Sequence, residues 1–169
     1  MRVGAIDLLG GALVGLGATL MMDIWNTFLK PTFGIASLNY CMLGRWVRHL
    51  PSGVMRHASI AGSRSMPHEC TVGWMAHYSI GAMLAVTFVV IGPREWLAQP
   101  TFLPALIFGV VTVVFPFFVL QPSLGFGIAG SRTPKPAQAR LKSLVTHVVF
   151  GLGLYVCALA GTLLPGIPW

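Results

Sequence analysis

The chain reads as an all-α integral membrane protein, a four-helix bundle, and three observations carry that reading. Hydrophobic residues make up 55% of the 169 positions and charged residues only 9%, where a soluble domain carries about a quarter of charged residues. Mean hydropathy is +0.77. Four runs, Leu8 to Leu29, Val72 to Ile91, Phe102 to Leu120 and Leu144 to Leu164, each supply close to the ~20 apolar residues that cross about 30 Å of hydrocarbon. None of them alternates with period two, which removes a strand reading. At 18.1 kDa the chain is expected to form a single membrane domain over residues 1–169.

The first run begins after Arg2 and resembles a signal peptide, but no small-x-small cleavage site follows, and the run continues into Trp25 and Phe28. It is read as a retained span. Prolines punctuate the others: Pro31 after the first, Pro93 after the second, Pro100 before and Pro122 after the third, Pro134 and Pro136 before the fourth, and Pro165 after it. A proline ends a helix because it lacks an N–H and crowds the preceding turn. Pro116 lies inside the third span, where a kink is expected. Gly11 and Gly15, spaced as GxxxG, are read as helix-packing contacts.

The connections differ in kind. Gly92 to Pro100 is short enough to make spans two and three an antiparallel hairpin. The segment from Pro31 to Cys70 is far longer, and "LNYCMLGRWVRHL" within it sets Leu43, Trp46, Val47 and Leu50 against Arg45, Arg48 and His49. That pattern is an interfacial amphipathic helix between helices one and two. The stretch "QPSLGFGIAGSRTPKP" is a loop or re-entrant turn. Each half holds a span, a basic segment and a second span, and the second spans share His77-x-x-x-Gly81 and His147-x-x-x-Gly151. An internal repeat about an axis along the membrane normal would produce this.

Of the eleven Lys and Arg, five (Lys30, Arg45, Arg48, Arg56, Arg64) separate spans one and two, and four (Arg132, Lys135, Arg140, Lys142) separate three and four or open four. The positive-inside rule puts this side in the cytoplasm and both termini in the periplasm. The net charge of +7 is then topology and contact with anionic headgroups. No recognition motif accompanies it, so nucleic acid is not an expected partner. Cys41, Cys70 and Cys157 form no CxxC and argue for neither a disulfide framework nor a zinc ribbon. His49, His57 and His68 are expected to be solvated or interfacial.

Against this apolar background, "TLMMDIWNTFLK" (Thr19 to Lys30) is anomalous. Asp23 facing lipid would cost roughly 2.5 to 3.5 kcal/mol, so it is expected to face the bundle interior. Asn26, three residues on, shares that face. Counting from the basic side, Asp23 lies about 9 Å inside the first span, at 1.5 Å per residue. His77 enters the second span to a similar depth, His147 lies slightly deeper in the fourth, and Gln121 closes the third. The expected site is therefore a cytoplasm-facing pocket with Asp23, His77 and His147 as catalytic acid, base or metal ligands. Asn26, Gln121 and Arg132 would bind ligand, Arg132 as a lid or anion clamp.

Four other roles fit the same residues. Interhelical hydrogen bonding can be their whole purpose. Asp23, His77 and His147 are one carboxylate and two imidazoles, a set suited to iron, zinc or another transition metal. His77 and His147 alone suit a b-type haem or a quinone site. A small proton-linked transporter would use the intramembrane Asp with histidines and, having four spans, would need a homo-oligomer. In each case the lipid bilayer is a partner, and a small or lipidic ligand is expected for the site.

The runs "MDIWNTFLKPTFGIASLNYCMLGRWVRH", "RHASI", "GWMAHYSIG" and "FPFFVLQPSLGFGIAGSRTPKPAQARLKSLVTHVVFGLGLY" resemble the bacterial membrane-protein family catalogued as domain of unknown function 2938. The resemblance implies a multi-pass protein of the bacterial inner membrane and carries no assigned activity, which leaves the chemistry to the residues.

Overall fold

The computed structural model describes residues 4–33, 39–93 and 95–164. Leu38, Arg94, Pro165 and the side chain of Lys30, which entered the expectations above, lie outside the described residues. The elements are α1 (Ala5–Phe33), α2 (Tyr40–His49), α3 (Glu69–Ile91), α4 (Phe102–Val111), a π-helical turn (Pro116–Leu120), α5 (Gln121–Ser123) and α6 (Pro136–Thr162). Among the described residues there is no strand. Ala5–Leu29, Glu69–Ile91, Phe102–Ser123 and Pro136–Thr162 are long and apolar enough to cross a membrane. The chain is an all-α, multi-pass membrane protein.

Three proline expectations need correction. Pro122 lies inside α5 and within the third span, which runs to Ser123. Pro31 lies within α1, because so near a helix end it removes a single hydrogen bond. Pro136 opens α6, since a first-turn residue has no helical acceptor for its N–H. The polar stretch Gln138 to Ser143 lowers hydropathy without lowering helicity, so α6 starts well before Leu144. The expected disruption at Pro116 is present and falls four residues earlier: α4 ends at Val111 and is capped by Thr112. Pro116 offers no N–H to the Thr112 carbonyl, so the regular ladder stops there. It resumes with Phe117 N–H donating to Val113 O at 3.1 Å and Gln121 N–H donating to Pro116 O, the wide spacing of a π-turn.

The chain divides into two compact units, the first made of residues 1–36, 78–112 and 146–169 and the second of residues 37–77 and 113–145. In the first unit, four helical segments surround Val14, Ala18, Ala85, Phe88, Ala105, Phe150, Leu154 and Ala158. Small residues let their backbones touch. A side chain on Gly15 would meet the Gly81 carbonyl and Ala82, one on Gly109 would meet Gly151, and one on Gly153 would meet Ala18. The GxxxG reading of α1 is therefore correct, since Gly11 likewise faces Val86 and Val89. Gly81 packs α3 on α1 as Gly151 packs α6 on α4, so the two glycines of the His-x-x-x-Gly stretches do equivalent work. Ile24, Leu103 and Val111 are exposed, as expected of residues facing lipid.

The second unit is built differently. The expected amphipathic helix forms as α2, and Asn39 caps it by accepting a hydrogen bond from Cys41 N–H. Its apolar face is covered by protein, because Leu43, Trp46 and Val47 pack in a cluster with Ile60, Leu120 and Leu124. Arg45 then fastens the following segment. Its Nε and Nη2 donate to Glu69 Oε2 and Oε1 at 2.9 and 2.7 Å, and Nη1 donates to the carbonyls of Ile60, Ala61 and Ser63. The Glu69 hydrogen bond holds the Arg45 guanidinium above its ordinary pKa. Residues 57 and 60 also donate to the carbonyls of Ser123 and Leu124 at 2.9 and 3.1 Å. A segment whose sequence promised only a long loop is thus fixed at both edges.

Candidate functional site

The six residues singled out from the sequence fall into both units. Asp23, Asn26 and His147 belong to the first, and His77, Gln121 and Arg132 to the second.

In the first unit, each helical segment contributes a buried or half-buried polar side chain to a set called the belt here. Asn26, which is 6% exposed, accepts a hydrogen bond through Oδ1 from Thr146 Oγ1 of α6 at 3.4 Å. The Asp23 carboxylate is hydrogen-bonded to the Tyr78 phenol of α3. His147 Nδ1 lies 2.8 Å from Thr112 Oγ1, the cap of α4. That Thr112 hydroxyl donates its single proton to Gly109 O at 2.6 Å. The hydroxyl thus lies between the Gly109 carbonyl and the His147 ring and fixes the ring's orientation. A carboxylate with a phenol, and an imidazole, are groups that can exchange protons. Tyr78, Thr112 and Thr146 were not anticipated. Tyr78 directly follows His77, so its place on α3 was visible in the sequence, and only the helix rotation selected it. An apolar groove of about 400 Å³ in the same unit, lined by Phe88, Leu103, Ile107, Phe108 and Val111 among others, carries no titratable group.

In the second unit, His77 is buried and stacks on Tyr40 with ring centroids 4.2 Å apart, and its edge faces Trp74 at 6.1 Å. Gln121 Nε2 donates to Ser143 Oγ at 3.1 Å, while its Oε1 is buried with no hydrogen-bond partner. Arg132 is exposed, and its backbone N–H donates to Phe126 O at 2.8 Å. Among the described residues no three His, Cys, Asp or Glu side chains are placed to share a metal ion, and that covers the set Asp23, His77 and His147.

Two expectations about the long segment are corrected here. Cys41 and Cys70 form a disulfide, with sulfurs 2.02 Å and Cα atoms 3.8 Å apart. The sequence separation of 29 gave no sign of it, because the pairing comes from a helix crossing. Gly44 sits against the Glu69 carbonyl and Gly73 against the Tyr40 carbonyl. The matching Cys-x-x-Gly stretches, "CMLG" and "CTVG", are the signal that was missed. His49 and His57 are also more than solvated side chains: His49 Nδ1 lies 2.7 Å from His57 Nε2, and His57 Nδ1 is buried with no hydrogen-bond partner. One ring donates and the other accepts.

No curated protein and no solved structure matches the chain. A family model described as "Protein of unknown function (DUF2938)" matches residues 12–161, which take in every polar side chain of the first-unit belt, and the chain accordingly belongs to that family.

Proposed function

We propose that the belt in the first unit is an acid–base binding site for a small or lipidic ligand, in a multi-pass protein of the bacterial inner membrane. The observation that carries the reading is that three contacts, Asp23 with Tyr78, Asn26 with Thr146 and His147 with Thr112, join a carboxylate, an amide and an imidazole across four helical segments of one compact unit. Hydrogen bonds that only join helices need neither a carboxylate nor an imidazole, and an intramembrane carboxylate costs several times what such a bond returns. In this reading Asp23 and Tyr78 exchange a proton with the ligand, the His147 imidazole accepts one, and Asn26 orients a polar group. The basic segments face the cytoplasm and both termini face the periplasm, as the distribution of Lys and Arg supports.

The test is native mass spectrometry of detergent-extracted protein, comparing wild type with Asp23→Asn and His147→Gln. The expected result is a small molecule or lipid that co-purifies with wild type and is lost from both variants, at unchanged helicity by circular dichroism. Equal retention in all three would reduce the belt to helix-to-helix hydrogen bonding. A visible absorption spectrum of the same wild-type sample examines the b-type haem alternative for His77 and His147.

A further inference from the structure

We propose that Cys41 and Cys70 form a reversible thiol–disulfide centre that exchanges electrons with a dithiol protein of the reducing compartment. Four observations converge on it. Each cysteine occupies the first turn of a helix, Cys41 in α2 and Cys70 in α3. The positive end of the helix dipole at such a position favours thiolate over thiol, which makes the sulfur a better leaving group.

The bond is also redundant as a staple. Gly44 and Gly73 already bring the two helix starts into backbone contact, and the Arg45–Glu69 ion pair at 2.7 Å joins the same two starts. When the bond opens, the sulfurs stay within reach of each other and can pair again. Accessibility supplies the third observation: Cys70 is exposed and Cys41 half-buried, so an incoming thiolate has one sulfur to attack.

The fourth is location. Cys41 lies between spans one and two and Cys70 in the first turn of the second, on the side that carries Arg45, Arg48, Arg56 and Arg64, which the orientation proposed above puts in the cytoplasm. Disulfides there are uncommon in proteins from moderate temperatures and are mostly transient, catalytic or redox-sensing. The inference rests on that orientation.

The step balances as follows. One thiolate of the dithiol attacks Cys70 Sγ, the Cys41–Cys70 bond breaks, and Cys41 leaves as a thiolate that takes up a proton. The second thiol of the partner then attacks the mixed disulfide, releasing Cys70 as a thiol and leaving the partner oxidised. Two electrons and two protons pass to this chain, and the reverse sequence re-forms the bond.

The experiment traps thiols in intact cells by acid quench, followed by a polyethylene-glycol maleimide, with Cys157→Ala removing the third cysteine. The pair is expected as two thiols in unstressed cells. A thiol oxidant should convert it to a disulfide, and washing should return the thiols within minutes. Purified protein treated with dithiothreitol should release two thiols and keep its helicity. A pair that stays oxidised throughout, or a protein that loses its fold on reduction, would make the bond a structural staple and overturn the proposal. Orientation is scored separately, with Ser131→Cys in a chain also carrying Cys41→Ser, Cys70→Ser and Cys157→Ala. Labelling of that cysteine by an impermeant maleimide from outside spheroplasts would overturn the orientation and this inference with it, and would leave the ligand site of the first unit untouched.

Discussion

The first unit is held by the absence of side chains and the second by directional bonds. In the first, Gly11, Gly15, Gly81, Gly109, Gly151 and Gly153 let helices meet at backbone distance, and the core around them is aliphatic and aromatic. In the second, a two-pronged ion pair and three Arg45-to-carbonyl bonds hold α2, the segment after it and the start of α3. The solvent explains the contrast. Within hydrocarbon, apolar side chains gain nothing by leaving lipid for protein, so close van der Waals contact is what remains to join helices. Near the membrane surface, a long irregular segment exposes many backbone groups that need fixed partners.

The sharpest way to break this comparison is a pair of matched substitutions. Gly73→Ala places a methyl group on the Tyr40 carbonyl, which is backbone and cannot rotate away, whereas Gly81→Ala meets the Thr19 hydroxyl, a side-chain group that can. The first change is expected to abolish accumulation of folded protein and formation of the Cys41–Cys70 bond. The second should cost about 1–3 kcal/mol, in the usual range for overpacking. Thermal unfolding in detergent and thiol counting read both, and equal losses would show that the two crossings are equally rigid.

A smaller effect is expected from Arg45→Met. It strands the Glu69 carboxylate and frees three carbonyls at once, with a cost of about 2–4 kcal/mol for a partly buried pair. Trypsin should then cut at Arg56 and Arg64 under conditions that leave wild type intact. If the digestion pattern is unchanged, Arg45 is not what fastens residues 57–63.

Thr146→Val should have the least effect. The bond from Thr146 to Asn26 is long at 3.4 Å, and interhelical hydrogen bonds in membranes average about 0.6 kcal/mol. A shift in unfolding midpoint much larger than one or two degrees would mean that the belt contributes far more to stability than proposed, and that the first unit too depends on directional bonds.

The spans, the disrupted third helix and the amphipathic helix were legible because each follows from a local property: apolar run length, a missing N–H, or a repeat of period near 3.6. Asp23, Asn26 and His147 were legible as anomalies, since a polar side chain amid twenty apolar ones needs an explanation wherever the helix goes. Tyr78, Thr112 and Thr146 were not, because hydroxyls are ordinary in membrane helices and only a partner distinguishes one from another. The disulfide and the His49–His57 contact were hidden for a related reason. They join residues that are remote or unpatterned in sequence, and the disulfide depends on Gly44 and Gly73 letting two helices cross where they do.

The sequence by itself therefore determined that this chain lives in a membrane, where its helices run and which polar residues must turn away from lipid, because each of those is decided by the transfer of one segment from water to hydrocarbon. Tertiary structure alone decided which hydroxyl orients His147, which carbonyls Arg45 holds and that two cysteines meet. Those outcomes depend on how far each helix is rotated about its axis and where glycines allow contact, and neither is encoded in any single stretch of the chain.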